Sequence, residues 1–369
     1  MEIKGSFGTA KVFAKTIEET ASLQIQTLMN HPVVENQTVR IMSDVHAGAG
    51  CTIGTTMTIT DKVVPNLVGV DIGCGMLVAK VASQLNCVVL DAAINHTIPA
   101  GFNIRSKPHD LVNLLRIDDL RCKEAINMPR ALLSIGTLGG GNHFIELSRN
   151  QDGEEYLIIH SGSRNPGKQV ADFYQRLAVV DRYGSTKPTK TEFDLAWLEG
   201  AAFDDYLHDM QIMQEYADIN RLAMLFEISQ ALGVDIVYEF ATVHNYIDVK
   251  EMILRKGAVS AKLGETLLIP INMRDGSLLC TGRGNPDWNC SAPHGAGRIM
   301  SRAQARRELS LESYELSMSG IYSTSVNQNT VDEAPDAYKP MSEILGQIHA
   351  TVDVMDILKP IYNFKASGE

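Results

Sequence analysis

The stretch that most limits what this chain can become is Val68-Gly-Val-Asp-Ile-Gly-Cys-Gly-Met76. It sets an acid and a thiol three residues apart, between glycines that let the backbone approach whatever Asp71 and Cys74 hold. Two donors are too few for a metal ion, so the fold has to bring histidines to them from elsewhere. The sequence offers four in strings rich in Gly, Asn or Ser: Gly141-Asn-His143, His160-Ser-Gly162, His244-Asn-Tyr246 and His294-Gly-Ala-Gly297. Thiolate, imidazole and carboxylate together suit zinc on chemistry alone, and the competing account is a hydrogen-bonded core network. His31, His96, His109, His208 and His349 lack such surroundings and read as structural residues.

Composition narrows the class. With 369 residues, 44% hydrophobic and 21% charged, the chain can bury a core in one large or two modest domains. Its six cysteines contain no Cys-x-x-Cys pair, which fits reduced thiols better than a disulfide framework and weakens any zinc-finger reading. No run of eighteen apolar residues and no signal-like N-terminus occurs, so we expect a cytoplasmic protein without a membrane span. The formal net charge of -11 excludes coating nucleic acid by bulk electrostatics but leaves room for a local basic groove. Two clusters could form one: Lys250, Arg255, Lys256 and Lys262, and the series Arg298, Arg302, Arg306, whose four-residue spacing shares one helix face. The plainer alternative for both is a solvated surface.

Periodicity places these residues on elements. It predicts a helix over Thr16 to Met29, then a strand from Asn36 to Met42 running into a loop that sets Asp44 and His46 just past the strand end. Strands are expected at Met76 to Val81, at Tyr156 to His160, and at 266–271 and 277–281, with a long helix over 204–231. Further helices are expected from Arg298 to Glu308, starting just after His294, and from Met341 to Leu358. A histidine before two glycines at a helix start faces bare N–H groups, where a phosphate binds readily. A neutral, unligated His294 could there attack phosphorus while a nearby cation neutralises the oxygens; the alternative is a helix cap with an incidental histidine.

Taken in order, several strings resemble the RtcB family of RNA ligases. They are Asp44-Val-His46, Val68 to Met76, Leu138-Gly-Gly-Gly-Asn-His-Phe-Ile-Glu146, His160-Ser-Gly-Ser-Arg164, Phe203-Asp-Asp-Tyr-Leu207 and His244-Asn-Tyr246. Arg255-Lys-Gly-Ala-Val-Ser-Ala261, His294-Gly-Ala-Gly-Arg-Ile-Met-Ser-Arg302 and Asp332-Glu-Ala-Pro-Asp-Ala-Tyr-Lys339 complete the series, which runs from about residue 40 to the C-terminus. The resemblance implies that His294 takes GMP from GTP as a phosphoramidate, and that Asp44 handles a proton in later steps. It also implies that Cys74 bridges two manganese ions, one held by Asp71 and His143 and the other by His160 and His244, which replaces the zinc expectation.

Carried over likewise, Asn142, His143, Phe144, Ile145, Glu146, His244, Asn245, Pro270, Met273, Ser277 and the loop Gly295, Ala296, Gly297 match positions that contact the guanylate, and Lys365 one that reads guanine. Arg164, Arg255, Lys256, Arg298 and Arg302 are then candidates for RNA phosphate contacts. Three features depart from the family: Pro270-Ile-Asn-Met273 replaces a frequent Pro-Gly-Ser-Met, Lys365 is followed by four more residues, and the region from 82 to 130 is shorter than in the better-known members.

The activity so implied is the joining of RNA 3′-phosphate or 2′,3′-cyclic phosphate ends to 5′-hydroxyl ends, in RNA repair or tRNA splicing. By analogy alone, an archease-type activator enters as a partner. Two other functions compete: a metal-dependent cyclic phosphodiesterase that does not ligate, and an inactive RNA-binding relative. The expected fold, resting mainly on the resemblance, is α+β, one domain over residues 1–369 with mixed sheets meeting at the site and helices outside.

Overall fold

Two antiparallel-rich sheets meet along a single stretch of chain. In the computed structural model, which describes residues 1–366, one sheet has seven strands in the order Ile236–Val243, Gly75–Val81, Glu155–Ser161, Phe144–Arg149, Val352–Lys365, Gly276–Gly282 and Thr266–Asn272. All its neighbours run antiparallel. Its two edges come back towards each other, where the Leu268 amide donates to Thr242 Oγ1 at 3.2 Å, so the sheet curls instead of staying open. The other sheet orders Glu2–Lys4, Thr9–Val12, Val39–His46, Ile53–Thr58, Ile253–Lys256 and Asn245–Asp248, and is mixed through one parallel pair, Thr9–Val12 with Val39–His46. The chain steps from the first sheet to the second at His244, between Val243 and Asn245. The α+β reading therefore holds, with the parallel strand pair in the smaller sheet.

Helices close the outside. The longest, Ala201–Leu232, begins after Gly200 and stops at Gly233, whose left-handed conformation (φ 62°, ψ 37°) turns the chain out of the helix. Its buried stripe runs Phe203, Tyr206, Met210, Met213, Ala217, Asn220, Met224 and Ile228, the three- and four-residue spacing that one helix face requires. An asparagine on that stripe is out of place in an apolar core and returns below. Near the start of the helix, Asp209 accepts from the Arg121 and Cys122 amides at 2.8 and 3.0 Å and from the Tyr174 hydroxyl at 2.7 Å, pinning the irregular stretch of short turns from 110 to 125.

Four local expectations need correction. The first helix is shorter, Glu19–Met29. Asp44 and His46 lie within the strand Val39–His46, not beyond it, because the segment pairs with Ile53–Thr58 as far as His46. The helix expected from Arg298 starts only at Arg302 and ends at Glu308; Arg298 instead bridges to Tyr338 in extended conformation. The last helix stops at Ile348, and residues 352–358 open the fourteen-residue strand Val352–Lys365, paired with Gly276–Gly282 on one side and Phe144–Arg149 on the other. Tertiary pairing overrode a segment whose apolar pattern fits either period.

Candidate metal centre and adjoining pocket

Strand ends bring the ligand candidates together. Register sets Met76 and Phe144 opposite His160, so the Asp71–Cys74 turn, His143 and His160 arrive at the same end of three neighbouring strands. His244 joins them through its amide, which donates to the Cys74 carbonyl at 2.9 Å. Cys74 Sγ lies 3.4 Å from His143 Nε2 and 3.3 Å from His160 Nε2; His160 Nε2 lies 3.4 Å from His244 Nε2, and His143 Nε2 lies 2.9 Å from Asp71 Oδ2. Two overlapping donor groups result, Asp71–Cys74–His143 and Cys74–His160–His244.

The protonation pattern suits a cation. The Nδ1 atoms of His143 and His160 face the backbone carbonyls of Leu138 (2.9 Å) and Asn142 (3.2 Å). Donating Nδ1–H to a carbonyl leaves the Nε2 lone pair free for a metal. Burial, then neighbouring positive charge, holds His160 and His244 well below the ordinary imidazole value, so both are neutral. Burial pushes the Cys74 thiol far up, and the adjacent Asp71 carboxylate pushes further. Burial alone would raise Asp71 as well, but its contacts with His143 and Cys74 and the nearby Arg164 charge carry that carboxyl down to about 2. Lone pairs of two imidazoles converging on a thiol make little sense without a positive charge between them, and a divalent ion would reverse the thiol's preference by deprotonating it. The residues present therefore fit a metal ion.

Next to this cluster lies a cavity of about 230 Å³ lined by His160, His244 and His294 among others. His294 follows the strand Ser291–Pro293, and its Nδ1 lies 2.7 Å from Oδ2 of Asp44, a fully buried carboxylate. The expected helix start is absent here, so Asp44 and not a helix dipole fixes the ring. Gly297 (φ 77°) is required by the same contact, because a side chain there would run into the Asp44 carbonyl.

Of the residues matched to guanylate contacts, Asn142, Phe144, Glu146, His244, Pro270, Met273, Gly295, Ala296, Gly297 and Lys365 line this cavity. Ile145 points from the other face of its strand into a separate apolar cluster, Asn245 bonds the Asp71 carbonyl and the Gly257 amide, and Ser277 is buried opposite Pro270. His143 opens instead onto a second cavity of about 410 Å³, shared with Asp71, Arg130, Arg164 and Lys168. In the departing string, Asn272 closes its own hairpin, accepting from the Arg274 and Asp275 amides at 3.0 and 2.8 Å.

The basic residues behave differently from expectation. Arg255 is fully buried and donates to Ser291, Tyr246 and two carbonyls, and the buried Lys256 ammonium caps the carbonyls of Ala49 and Asn66. Both hold the fold together and leave no surface for an RNA backbone. Arg298, Arg302 and Arg306 turn inward onto the buried pair Asp332 and Glu333, to which Lys365 also binds. Burial would raise the Glu333 carboxyl, but Lys365, Arg302 and Arg298 outweigh it and hold it at about 2. Burial lifts Glu146 to about 7 against hydrogen bonds from Ser148 and Asn363. The string Asp332 to Lys339 carries no local sign that its first two carboxylates neutralise these arginines; two adjacent acids were the available signal.

Among the described residues no helix is long and apolar enough to cross a membrane. The family model described as tRNA-splicing ligase RtcB matches residues 24–121 and 113–366. The chain is 31% identical over 390 residues to an Escherichia coli protein named RNA-splicing ligase RtcB1, with 94% of each covered. It is 30% identical over 389 residues to RNA-splicing ligase RtcB of another Escherichia coli strain, again with 94% of each covered, and 28% identical over 410 residues to a tRNA-splicing ligase RtcB of Aeropyrum pernix, covering 84% of each. With matches of this extent falling on a fold that gathers Asp71, Cys74, His143, His160 and His244 around one point, the chain belongs to the RtcB family.

Proposed function

We propose that this chain is a GTP- and manganese-dependent RNA ligase that joins a 3′-phosphate, or a 2′,3′-cyclic phosphate, to a 5′-hydroxyl through His294. The observation that carries this reading is the 2.7 Å contact between His294 Nδ1 and the buried Asp44 carboxylate, beside a cluster built for a cation. A ring that donates Nδ1–H to a carboxylate keeps its lone pair on Nε2 and has its forming positive charge stabilised, the arrangement an imidazole nucleophile needs.

In the first step Nε2 attacks the α-phosphorus of GTP; an N–P bond forms, the bond to the pyrophosphate oxygen breaks, and pyrophosphate leaves with that electron pair. An oxygen of the RNA 3′-phosphate then attacks the same phosphorus, the N–P bond breaks, and His294 returns to its neutral state. The 5′-hydroxyl oxygen finally attacks the RNA phosphorus, GMP leaves, and the hydroxyl proton is lost. A cyclic end enters after water has opened it to the 3′-phosphate. Two Mn²⁺ sharing Cys74, with Asp71 and His143 on one side and His160 and His244 on the other, would supply charge that neutralises the phosphate oxygens.

The guanylate would occupy the 230 Å³ cavity, with Lys365 at the base. RNA phosphates would approach through the second cavity, where Arg164 stands with Arg130 and Lys168. Intact-mass spectrometry after incubation with GTP and Mn²⁺ tests the reading. One added GMP, absent from His294→Ala, is the expected result; cyclic phosphate opened with no adduct on the protein would replace the ligase by a phosphodiesterase.

A further inference from the structure

Two consecutive side chains of the long helix, Asn220 and Arg221, are buried to within 1% and touch neither cavity. Apart from the Arg221 bond to Asp218 on the same helix, their hydrogen bonds go to the segments that carry the ligand candidates. One Arg221 Nη1 donates to the Gly73 carbonyl at 2.8 Å and to the Ser161 carbonyl at 2.7 Å, the residues immediately before Cys74 and after His160. Asn220 Oδ1 accepts from the Gly136 and Thr137 amides at 2.9 and 3.1 Å, and its Nδ2 donates to Ser161 Oγ and to the Thr137 and Gly162 carbonyls at 3.1–3.2 Å. Ser161 Oγ passes the connection on to the Leu138 carbonyl at 2.8 Å, the same oxygen that faces His143 Nδ1. Gly73 (φ 72°) lies against this helix so closely that a side chain would strike Gln214 and Ala217.

A buried guanidinium whose acid partner among the described residues, Asp218, is half exposed is costly to keep, and an asparagine on an apolar stripe is equally unexpected. From this convergence we infer that Asn220 and Arg221 are positioning residues of the metal centre: they set the spacing between the Asp71–Cys74 turn, the His143 loop and the His160 strand end. The inference rests on the metal reading above and not on ligation.

The test is Mn²⁺ titration, with the visible spectrum of Co²⁺ as a second readout, on folded full-length Asn220→Asp, Arg221→Met and Arg221→Lys. Asp209→Asn serves as control, since Asp209 is an equally buried polar group of the same helix that pins a segment remote from the cluster. We expect the metal dissociation constant to rise about 10- to 100-fold and the Co²⁺ bands to shift in the Asn220 and Arg221 variants. The control should lose thermal stability with both readouts unchanged. Where Arg221→Met does not fold, Arg221→Lys and Asn220→Asp decide. Folded variants with wild-type metal affinity and spectrum would overturn the inference, as would a wild-type chain that binds neither ion. Loss of ligation with intact metal binding would count against the functional reading alone.

Discussion

Around one pocket, His160 and His244 point their Nε2 lone pairs at each other and at Cys74, while Arg298, Arg302 and Lys365 direct their charges onto Glu333. The first group is a set of donors lacking a positive partner, the second a set of cations already matched by a carboxylate. The histidines and Lys365 are buried, Arg298 is half-buried, and the Arg302 side chain is 42% exposed. The difference shows which part is made to receive an ion and which is a finished wall: the histidines acquire their partner from solution, whereas the arginines received theirs from the chain.

Breaking each group should therefore have different consequences. The largest effect is expected at the link between them and the reaction: Asp44→Asn should slow formation of the GMP adduct by about 10⁴-fold while leaving Mn²⁺ affinity unchanged, read by mass spectrometry over time. Next, Glu333→Gln leaves three buried or half-buried cations unbalanced and should cost about 3–5 kcal/mol in denaturant unfolding, irrespective of metal. For the histidine group the dependence reverses. Mn²⁺ at about 100 times its dissociation constant should stabilise the wild-type chain by about 2.7 kcal/mol, and Cys74→Ala should remove that gain while barely changing the metal-free stability. A Cys74→Ala chain still stabilised by Mn²⁺ would break the comparison.

The smallest effect is a pH dependence. Glu146 titrates near 7 when folded and lower when unfolded, so the folded state holds the extra proton and stability falls as pH rises from about 4.5 to 7. Glu333, held at about 2, contributes stability that is present above about 4.5 and is lost only as pH falls towards 2. Thermal unfolding against pH should show the upper decline vanish in Glu146→Gln.

How much of this could be read from the residues differs in the same way. Asp71, Cys74 and the four histidines could be selected because their glycine-rich surroundings are unusual and local. The long helix was legible from its helical periodicity over 204–231, since so long a run of one period leaves little choice. The pairing of Arg298 and Arg302 with acids was not legible, because nothing in a four-residue spacing reveals that Asp332 and Glu333, thirty residues later, fold back onto them. Val352 to Leu358 reads as helix from sequence because its strand partner, Gly276–Gly282, lies seventy or more residues away. Asn220 and Arg221 carry no sequence signal of their own, because only contacts show what a polar residue inside a helix holds.

His244 sits between the strand Ile236–Val243 of the seven-stranded sheet and the strand Asn245–Asp248 of the six-stranded one, while Cys74 and His160 belong to the first sheet's side of that joint. A cation gripping all three would act as a rivet through the joint. The metal would then be a mechanical part of the protein as well as a chemical one: it would fix the angle between the two sheets, and with it the distance from Asp44 and His294, carried by the smaller sheet and its neighbours, to the imidazoles on the larger.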